Sequence, residues 1–332
     1  MKTVAINVMN LCVPCENRCR YCLLSYDGNL TGVDYKRSEQ YAGRFYQWLR
    51  KNRPELSFLF GFGYSMEHSD LTAAITFCQS TGSVTGEFLQ FNGMKFRTEE
   101  ALRQLLQNLK DRGIKLIDLT FYGTEAYHDR FAARSGDFRL MMDTLRVANQ
   151  VGLDVTVGIP ITSENANQME ALLTELEKYH TQRIACFVPH SEGRGGLLEP
   201  VRFRWTDYEN LPENIRKHIN RNIFKTEREW LEYGFPQVEN RVLTLMLTPE
   251  NVDFFEKLPF EDAVAYLEKL DDDYFSVIPS AEILATCYGD TSSDKFYSAR
   301  DLYMRYQRQY IAEKQLEIYD IHDERNCFSR RI

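Results

Sequence analysis

Six short apolar runs recur between residues 3 and 188, and helical segments separate them. Each run has the length of a buried parallel strand. Because a helix between parallel strands makes a right-handed crossover, six such units close most economically into a partial barrel. The sequence therefore predicts an α/β fold, a partial (β/α)6 barrel of the TIM type with an α+β C-terminal extension. The predicted strands are 3–8, 56–60, 84–91, 114–121, 153–159 and 183–188.

The segments between these runs carry helix start and stop signals. Thr98 precedes one apolar stripe that stops before Gly113, and Asp137 precedes another that stops before Gly152. A Thr or Asp side chain can cap the start of a helix, and glycine often follows its last residue. We therefore predict amphipathic helices in both places.

Length and charge set wider bounds. The chain has 332 residues, 40 Lys+Arg and 48 Asp+Glu, which gives a net charge of −8. That balance provides no long-range attraction to nucleic acid or to an anionic membrane. No apolar run reaches the length of a transmembrane helix, and the amino terminus does not resemble a signal peptide, so we expect a cytoplasmic protein. We predict a core barrel over residues 1–205 and an extension over 206–332 that covers its mouth.

Four of the eight cysteines are crowded near the amino terminus, just after the first predicted strand. Cys15, Cys19 and Cys22 have the spacing C-x3-C-x2-C, and Tyr21 stands before the last of them. Three thiolates on one short loop can hold three irons of a [4Fe–4S] cluster and leave the fourth iron open to another ligand. The spacing therefore predicts an iron–sulfur site with one exchangeable position.

Two other interpretations of this loop are weaker. With Cys12 the loop reads C-x2-C-x3-C-x2-C, but the three-residue linker is far shorter than in usual zinc sites. Disulfides are not expected in a reducing compartment, and a chain of this length can build its own core.

The cysteine loop resembles that of the radical S-adenosylmethionine (radical SAM) enzymes. In that family the open iron is chelated by the amino and carboxylate groups of SAM, and an electron from the cluster splits SAM into methionine and a 5′-deoxyadenosyl radical. The resemblance covers roughly residues 3–200. It implies that Cys15, Cys19 and Cys22 bind the cluster, that Tyr21 belongs to the SAM site, and that flavodoxin or ferredoxin supplies electrons.

The segment after the second strand is similar to the Gly-Gly-Glu-Pro stretch that meets the amino group of SAM in the family. Here it runs from Gly61 through Gly63 to Glu67, is longer, and lacks the proline. The resemblance implies that these three residues contact SAM. The alternative is an ordinary strand-to-helix turn.

Residues 119–131 resemble the Ser-Leu-Asp-Gly…His-Asp-Arg signature of the branch that modifies peptides and natural products. By that resemblance Thr120 contacts the ribose or carboxylate of SAM, and Arg130 or Arg134 holds the carboxylate, since a guanidinium pairs with it through two hydrogen bonds. Tyr122 stands where relatives often have an acid, a change expected to alter the substrate pocket. The alternative is that residues 128–130 only cap a turn.

Further loop residues complete the predicted SAM site. Gly158 ends the fifth strand where relatives pack backbone against adenine. His190 lies in a polar, glycine-rich loop after the sixth strand, which could touch SAM or substrate, or only turn the chain. The Asn92-Gly93 turn after the third strand resembles a structural turn of the family.

The region beyond residue 200 resembles a degenerate SPASM or twitch domain, the auxiliary-cluster domains of many peptide-modifying radical SAM enzymes. Residues 274–288 suggest a β-hairpin near Cys287, but only Cys287 and Cys327 remain in this region, too few for a second cluster. We expect the hairpin to cover the barrel mouth. Cys287 is either a hydrogen-atom donor to a substrate radical or a buried small hydrophobe, and Cys78 and Cys186 are expected to be buried.

These observations favour a radical SAM enzyme that abstracts hydrogen from a peptide or an amino-acid-derived substrate. Two alternatives remain open. One is a radical SAM enzyme acting on a nucleotide, sugar or other small metabolite, because no complete auxiliary domain is present. The other is a metal-binding interaction protein without catalysis.

Overall fold

The computed structural model describes residues 2–10, 15–24, 32–61, 66–237 and 239–318. Within these ranges the six predicted strands are present and all their pairings are parallel. The first two strands pair with each other, and the other four form a second sheet in chain order. This confirms the partial α/β barrel. The strands are β1 (Lys2–Asn10), β2 (Ser57–Gly61), β3 (Phe88–Gln90), β4 (Leu116–Thr120), β5 (Asp154–Pro160) and β6 (Arg183–Phe187).

Helices follow each of these strands and pack on the outside of the sheets. The α-helices up to residue 176 are α1 (Tyr35–Asn52), α2 (Leu71–Thr81), α3 (Glu99–Asp111), α4 (Glu125–Ala132), α5 (Asp137–Val151) and α6 (Met169–Leu176). The later elements are α7 (Trp205–Asn210), α8 (Glu213–Arg216), β7 (Phe224–Thr226), α9 (Glu227–Tyr233), β8 (Asn240–Leu247), α10 (Val252–Lys257), α11 (Phe260–Val277), α12 (Ala281–Tyr288), β9 (Phe296–Ser298) and α13 (Ala299–Lys314).

The predicted Thr98 cap and the predicted helix ends hold, but Asp137 does not cap α5: Gly136 occupies the N-cap position, and Asp137 is the first residue of the helix. The Thr98 hydroxyl accepts a hydrogen bond from the backbone N–H of Ala101 over 3.3 Å at the start of α3. Gly152 follows α5 with a φ of 72°, the left-handed conformation that glycine adopts without strain. The predicted strand 84–91 was too long, because Val84–Gly86 forms a 3-10 turn and only Phe88–Gln90 pairs.

A strand from beyond residue 205 joins the first sheet. β8 lies parallel to β1 on the side opposite β2, with Val8 beside Leu245. Both residues are buried, in a core that also takes in α1 and α11. The sequence analysis did not predict this strand. The domain boundary at residue 205 stays a prediction. However, β1 pairs with β2, which precedes this boundary, and with β8, which follows it.

The predicted hairpin over residues 274–288 is wrong. These residues end α11 and form α12, with Pro279 and Ser280 between the helices. Leu267, Asp271 and Tyr274 lie at helical spacing on the buried face of α11, and the Ser280 hydroxyl caps α12. Helical periodicity and capping therefore override the strand propensity of the Phe-Ser-Val-Ile run.

The described residues include no helix that is both long enough and apolar enough to cross a membrane.

Candidate functional site

The cysteine loop lies at the carboxyl ends of the strands, directly after β1. Cys15, Cys19 and Cys22 are all partly buried there. Loops that follow β3, β4 and β6 contact this segment from different sides. Carboxyl ends of parallel strands are where barrel proteins place their chemistry.

The turn after β3 holds the first cysteine. The backbone N–H of Glu16 donates to the Gly93 carbonyl over 2.8 Å. Gly93 has a φ of 70°, and a Cβ atom added to it would lie 2.2 Å from the Cys15 sulfur. Only glycine therefore leaves room for this thiol beside the turn.

The loop after β6 contacts the other end of the cysteine segment. The Arg194 backbone N–H donates to the Cys22 carbonyl over 2.9 Å, and its guanidinium donates to the Cys19 carbonyl over 3.4 Å. A Cβ atom on Gly193 would lie 2.2 Å from the Leu23 carbonyl oxygen. Backbone-to-backbone packing thus fixes the segment on this side.

The end of α4 supplies a third contact. The backbone N–H groups of Arg18 and Arg20 donate to the carbonyls of Ala132 and Phe131, each over 2.9 Å. Together, the contacts from the turn after β3, the loop after β6 and the end of α4 fix the backbone that carries the three cysteines.

A buried polar network lies behind the cysteine segment, centred on the carboxylate of Asp137. His128 Nε2 lies 3.1 Å from Asp137 Oδ2, and Asn17 Nδ2 donates to the same oxygen over 2.8 Å. Arg134 Nη1 lies 3.2 Å from Asp137 Oδ1. His128 and Asp137 are fully buried, so the charge of Asp137 is balanced inside the protein rather than by water.

Both arginines predicted to hold the SAM carboxylate contact other protein groups in this structure. Arg134 also donates to the Met94 carbonyl over 2.6 Å and lies 4.0 Å above the Phe96 ring. Arg130 is exposed and lies 5.0 Å from the Tyr127 ring on α4. Arg134 therefore supports the cysteine loop through Asp137 in this structure.

The Tyr122 side chain touches the middle cysteine. Its hydroxyl oxygen lies 3.1 Å from the Cys19 sulfur, and the residue is 1% exposed. Its ring stacks on Phe131 with centroids 4.8 Å apart. The sequence analysis placed Tyr122 in the substrate pocket, and the spacing of residues gave no signal for this contact.

The ionisation of the thiols reflects their burial. Burial raises the pKa of Cys19 to about 12, against the opposing effect of the hydrogen bond with Tyr122. Burial also raises the pKa of Cys15, partly offset by a backbone hydrogen bond at Asn17. The charge of Cys22 raises the pKa of Cys15 further, and the charges of Cys15 and Cys22 raise that of Cys19.

The donor set fits a cluster better than a single ion. No three His, Cys, Asp or Glu side chains of the described residues converge on a point for one metal ion. A [4Fe–4S] cluster makes a different demand, because each thiolate reaches its own iron. Cys12, which the zinc interpretation requires, lies outside the described residues.

Three of the predicted SAM-site residues lie together at the same end of the sheet. Thr120 and Gly158 are neighbours in register on β4 and β5, and the Thr120 backbone N–H donates to Asn92 Oδ1 over 3.1 Å. The Phe187 ring covers Gly158, where an added Cβ would lie 3.2 Å from it. The Tyr21 ring centroid lies 6.2 Å from that of Phe187.

The segment after β2 is placed differently from the prediction. The Glu67 carboxylate pairs with Arg97 over 2.7 Å and accepts the Lys95 backbone N–H over 2.8 Å, so it joins two neighbouring loops. Gly61 ends β2 against the Met9 side chain. Gly63 lies outside the described residues.

The His190 loop is held by α13. The Ser191 backbone N–H donates to Asp301 Oδ1 over 2.8 Å, and Glu192 pairs with Arg308 over 2.8 Å. A Cβ on Gly195 would lie 2.0 Å from the His190 carbonyl oxygen, so the loop is tightly turned. Helix α13 therefore fixes the loop that contacts Cys22.

Cys287 lies on the surface rather than near the loop cysteines. It is exposed on α12, and the next residue, Tyr288, bonds Glu313 over 2.6 Å near the end of α13. Asp301, which contacts Ser191 in the His190 loop, lies on the same helix about 18 Å from Glu313, at 1.5 Å per residue. The hydrogen-donor role of Cys287 stays an untested prediction that this placement does not support, while Cys78 and Cys186 are buried as expected.

Comparison with known proteins identifies a family and a fold. The model of the Radical SAM superfamily matches residues 9–176, just over half of the chain. No curated protein matches the sequence. A solved structure described as native anSMEcpe with bound AdoMet superposes with a TM-score of 0.54 and 12% identity over 94% of this chain and 98% of that one. At this identity the similarity shows a common fold.

Two other solved structures are more distant. Coproporphyrinogen III oxidase (HemN) from Escherichia coli, a radical SAM enzyme, has a TM-score of 0.44 and 12% identity over 93% of this chain and 91% of its own. Streptococcus suis SuiB, bound to the precursor peptide SuiA, has a TM-score of 0.43 and 13% identity over 57% of this chain. The matched part spans 40% of SuiB.

Proposed function

The chain belongs to the radical SAM superfamily, and we propose on that premise that it abstracts hydrogen from a peptide or an amino-acid-derived substrate. The enzymes of this family use a [4Fe–4S] cluster and SAM. The bound pair supplies reductive cleavage of SAM to methionine and a 5′-deoxyadenosyl radical. The observation that carries the proposal is the cysteine loop, fixed at the carboxyl ends of the strands by three neighbouring loops.

Cys15, Cys19 and Cys22 are the proposed cluster ligands. Gly93 leaves space for the first thiol, and the Gly193 turn fixes the backbone beside the last. These two turns fix the first and last parts of the cysteine loop independently of any metal. Such preorganisation lowers the cost of assembling the site.

Tyr21, Thr120 and Gly158 are the proposed contacts for SAM. They come from three different segments that meet at one end of the sheet, beside Phe187. Gly61, Gly63, Glu67, Arg130, Arg134 and His190 remain candidate SAM contacts by family resemblance. For Glu67 and Arg134 that role requires the present ion pairs with Arg97 and Asp137 to open.

The peptide substrate class rests on residues 119–131, which resemble the signature of the peptide-modifying branch. SuiB, described with a precursor peptide, is too distant in structure to add weight. The region after residue 205 contains only two cysteines, which favours a small-metabolite substrate as the second candidate. We propose flavodoxin or ferredoxin as the electron donor in either case.

Iron and sulfide analysis of anaerobically reconstituted protein tests the cluster. The wild type should carry about four irons per chain, and alanine at Cys15, Cys19 or Cys22 should remove most of them. Cys287→Ala is the matched control, an exposed cysteine that should leave the iron load unchanged. A full iron load in Cys19→Ala would refute the ligand assignment. Cys12→Ala is also expected to keep its iron.

SAM cleavage tests the activity and the substrate class. The dithionite-reduced, cluster-loaded protein should release 5′-deoxyadenosine slowly by itself and faster with its substrate. We expect a peptide fraction of the host cell to accelerate release, and a nucleotide and sugar fraction to have no effect. The reverse result would establish the small-metabolite alternative. Absence of any SAM binding or cleavage would leave a non-catalytic metal protein.

A further inference from the structure

The Tyr122 hydroxyl is held against one cluster-ligand thiol and closed off from water. It lies 3.1 Å from the Cys19 sulfur, within hydrogen-bond distance for a sulfur partner. The residue is 1% exposed. The hydroxyl therefore faces the sulfur rather than solvent.

Four contacts prevent the ring from turning away. The Tyr122 backbone N–H donates to His128 Nδ1 over 3.2 Å, and Asn165 Nδ2 donates to the Tyr122 carbonyl over 2.7 Å. The ring stacks on Phe131 and meets the Tyr21 ring edge-on, with centroids 5.6 Å apart. The hydroxyl position is therefore fixed by the packing of two neighbouring rings and by hydrogen bonds at the backbone N–H and carbonyl of the residue.

The direction of the hydrogen bond follows from the ligand role. A thiol and a phenol can each donate to the other, but a cysteine bound to iron is a thiolate with no proton. The O–H of Tyr122 is then the donor and the Cys19 sulfur is the acceptor. Hydrogen bonds to cluster sulfurs are among the factors that set the reduction potential of iron–sulfur sites.

We propose that Tyr122 is a positioning residue that donates a hydrogen bond to the Cys19 sulfur and raises the reduction potential of the bound cluster. This rests on the proposed function, in which Cys19 is a cluster ligand. Reduction adds one electron and makes the sulfurs more negative, so the donor stabilises the reduced form more than the oxidised form. The hydroxyl thereby makes the electron easier to deliver.

The test is the midpoint potential of reconstituted wild type and Tyr122→Phe, measured by redox titration with detection of the reduced cluster by electron paramagnetic resonance. Phenylalanine keeps the ring and removes the donor. We expect the variant to load iron normally. At the same ambient potential its ratio of reduced to oxidised cluster should be about tenfold lower, which corresponds to a midpoint potential lower by about 59 mV for one electron. Equal potentials would overturn the proposal.

Tyr41→Phe is the matched control. Tyr41 is also fully buried, but it lies on α1 in the other core, and its hydroxyl has no hydrogen-bond partner among the described residues. Its substitution should leave the potential unchanged. An equal shift in Tyr41→Phe would count against the proposal, because the shift would then be a general effect of losing a buried hydroxyl.

A second measurement covers the case in which Tyr122→Phe does not load iron. Electron–nuclear double resonance on the reduced wild type, reconstituted in D2O, should show an exchangeable deuteron strongly coupled to the cluster. Absence of that signal would overturn the proposal with no variant needed. A wild type that binds no cluster would instead refute the proposed function, so the two failures are distinguishable.

Discussion

Asn17 and Asp137 are 120 positions apart, and the Asn17 side-chain amide donates a hydrogen bond to the Asp137 carboxylate over 2.8 Å. Asn17 lies inside the cysteine loop, and Asp137 is the first residue of α5. The bond therefore couples the position of the loop to the barrel wall. His128 and Arg134 contact the same carboxylate, so they also help to fix the position of the loop.

Replacing Asn17 by alanine should loosen the cysteine loop. The Asp137 carboxylate would lose one buried donor, a loss worth about 1–3 kcal/mol in unfolding free energy. Urea unfolding of the cluster-free protein measures this, and iron analysis should show a reduced load. Asn52→Ala is the control, since Asn52 is exposed and bonds the Trp48 carbonyl of its own helix. Equal stabilities of the two variants would contradict the anchoring role.

Replacing Gly93 by alanine should remove the cluster. The new Cβ would lie 2.2 Å from the Cys15 sulfur, so the thiol must move. Gly82→Ala is a close control, because Gly82 has a similar φ of 72° and nothing within 4 Å of an added Cβ. Both variants should lose about 1–2 kcal/mol to the left-handed backbone, but only Gly93→Ala should lose iron. Normal iron in Gly93→Ala would disprove the steric argument.

Cysteine labelling should separate three residues by exposure. Burial raises the pKa values of Cys78 and Cys186 to about 12, so at pH 8 few of these thiols are reactive thiolates. Cys287 is exposed, so it should react with iodoacetamide at least about tenfold faster than Cys78 and Cys186. Peptide mapping by mass spectrometry, in native buffer and in urea, measures each site. Fast native labelling of Cys186 would mean that its helix and strand packing opens readily.

Acid should weaken the contact between the β6 loop and the C-terminal region. Burial alone would raise the pKa of Glu199, but the charge of Arg202 and hydrogen bonds from Lys295 and Tyr297 lower it to about 2. The stabilisation by charged Glu199 is therefore complete above its ordinary pKa of 4.5 and is lost as the pH falls toward 2.

The comparison of wild type with Glu199→Gln tests this. Thermal unfolding between pH 6 and pH 3 should show about 1–2 kcal/mol more acid destabilisation in the wild type, a figure reduced by partial solvent screening. Glu213→Gln, at an exposed site, should follow the wild type. Parallel pH profiles for wild type and Glu199→Gln would show that the cluster of charges around Glu199 is dispensable.

The sequence predicted those features that depend on local pattern. The six barrel strands, the cap at Thr98 and the stop at Gly152 all follow from short-range periodicity and backbone preference. The cysteine spacing is likewise local, since three cysteines within eight residues constrain one another. In each case the physical cause lies within one or two turns of the chain.

Features set by tertiary partners were missed. The apolar run 242–247 is typical of a β-strand, but its residues do not predict that this strand pairs with β1. Residues 274–288 have strand-forming side chains, and packing on α13 keeps them helical. The ion pairs of Glu67 and Arg134 join loops that meet only in the folded chain, so the sequence did not predict these partners.

The placement of β8 beside β1 has a consequence for synthesis at the ribosome. Residues 2–10 emerge long before residue 247, at which one of their two neighbouring strands ends. Until then β1, which leads into the cysteine loop, presents an unpaired edge that invites pairing with other chains. A nascent or truncated polypeptide that stops near residue 205 would keep that edge open. Metal loading is therefore expected to follow release of nearly the whole chain rather than to accompany its early translation.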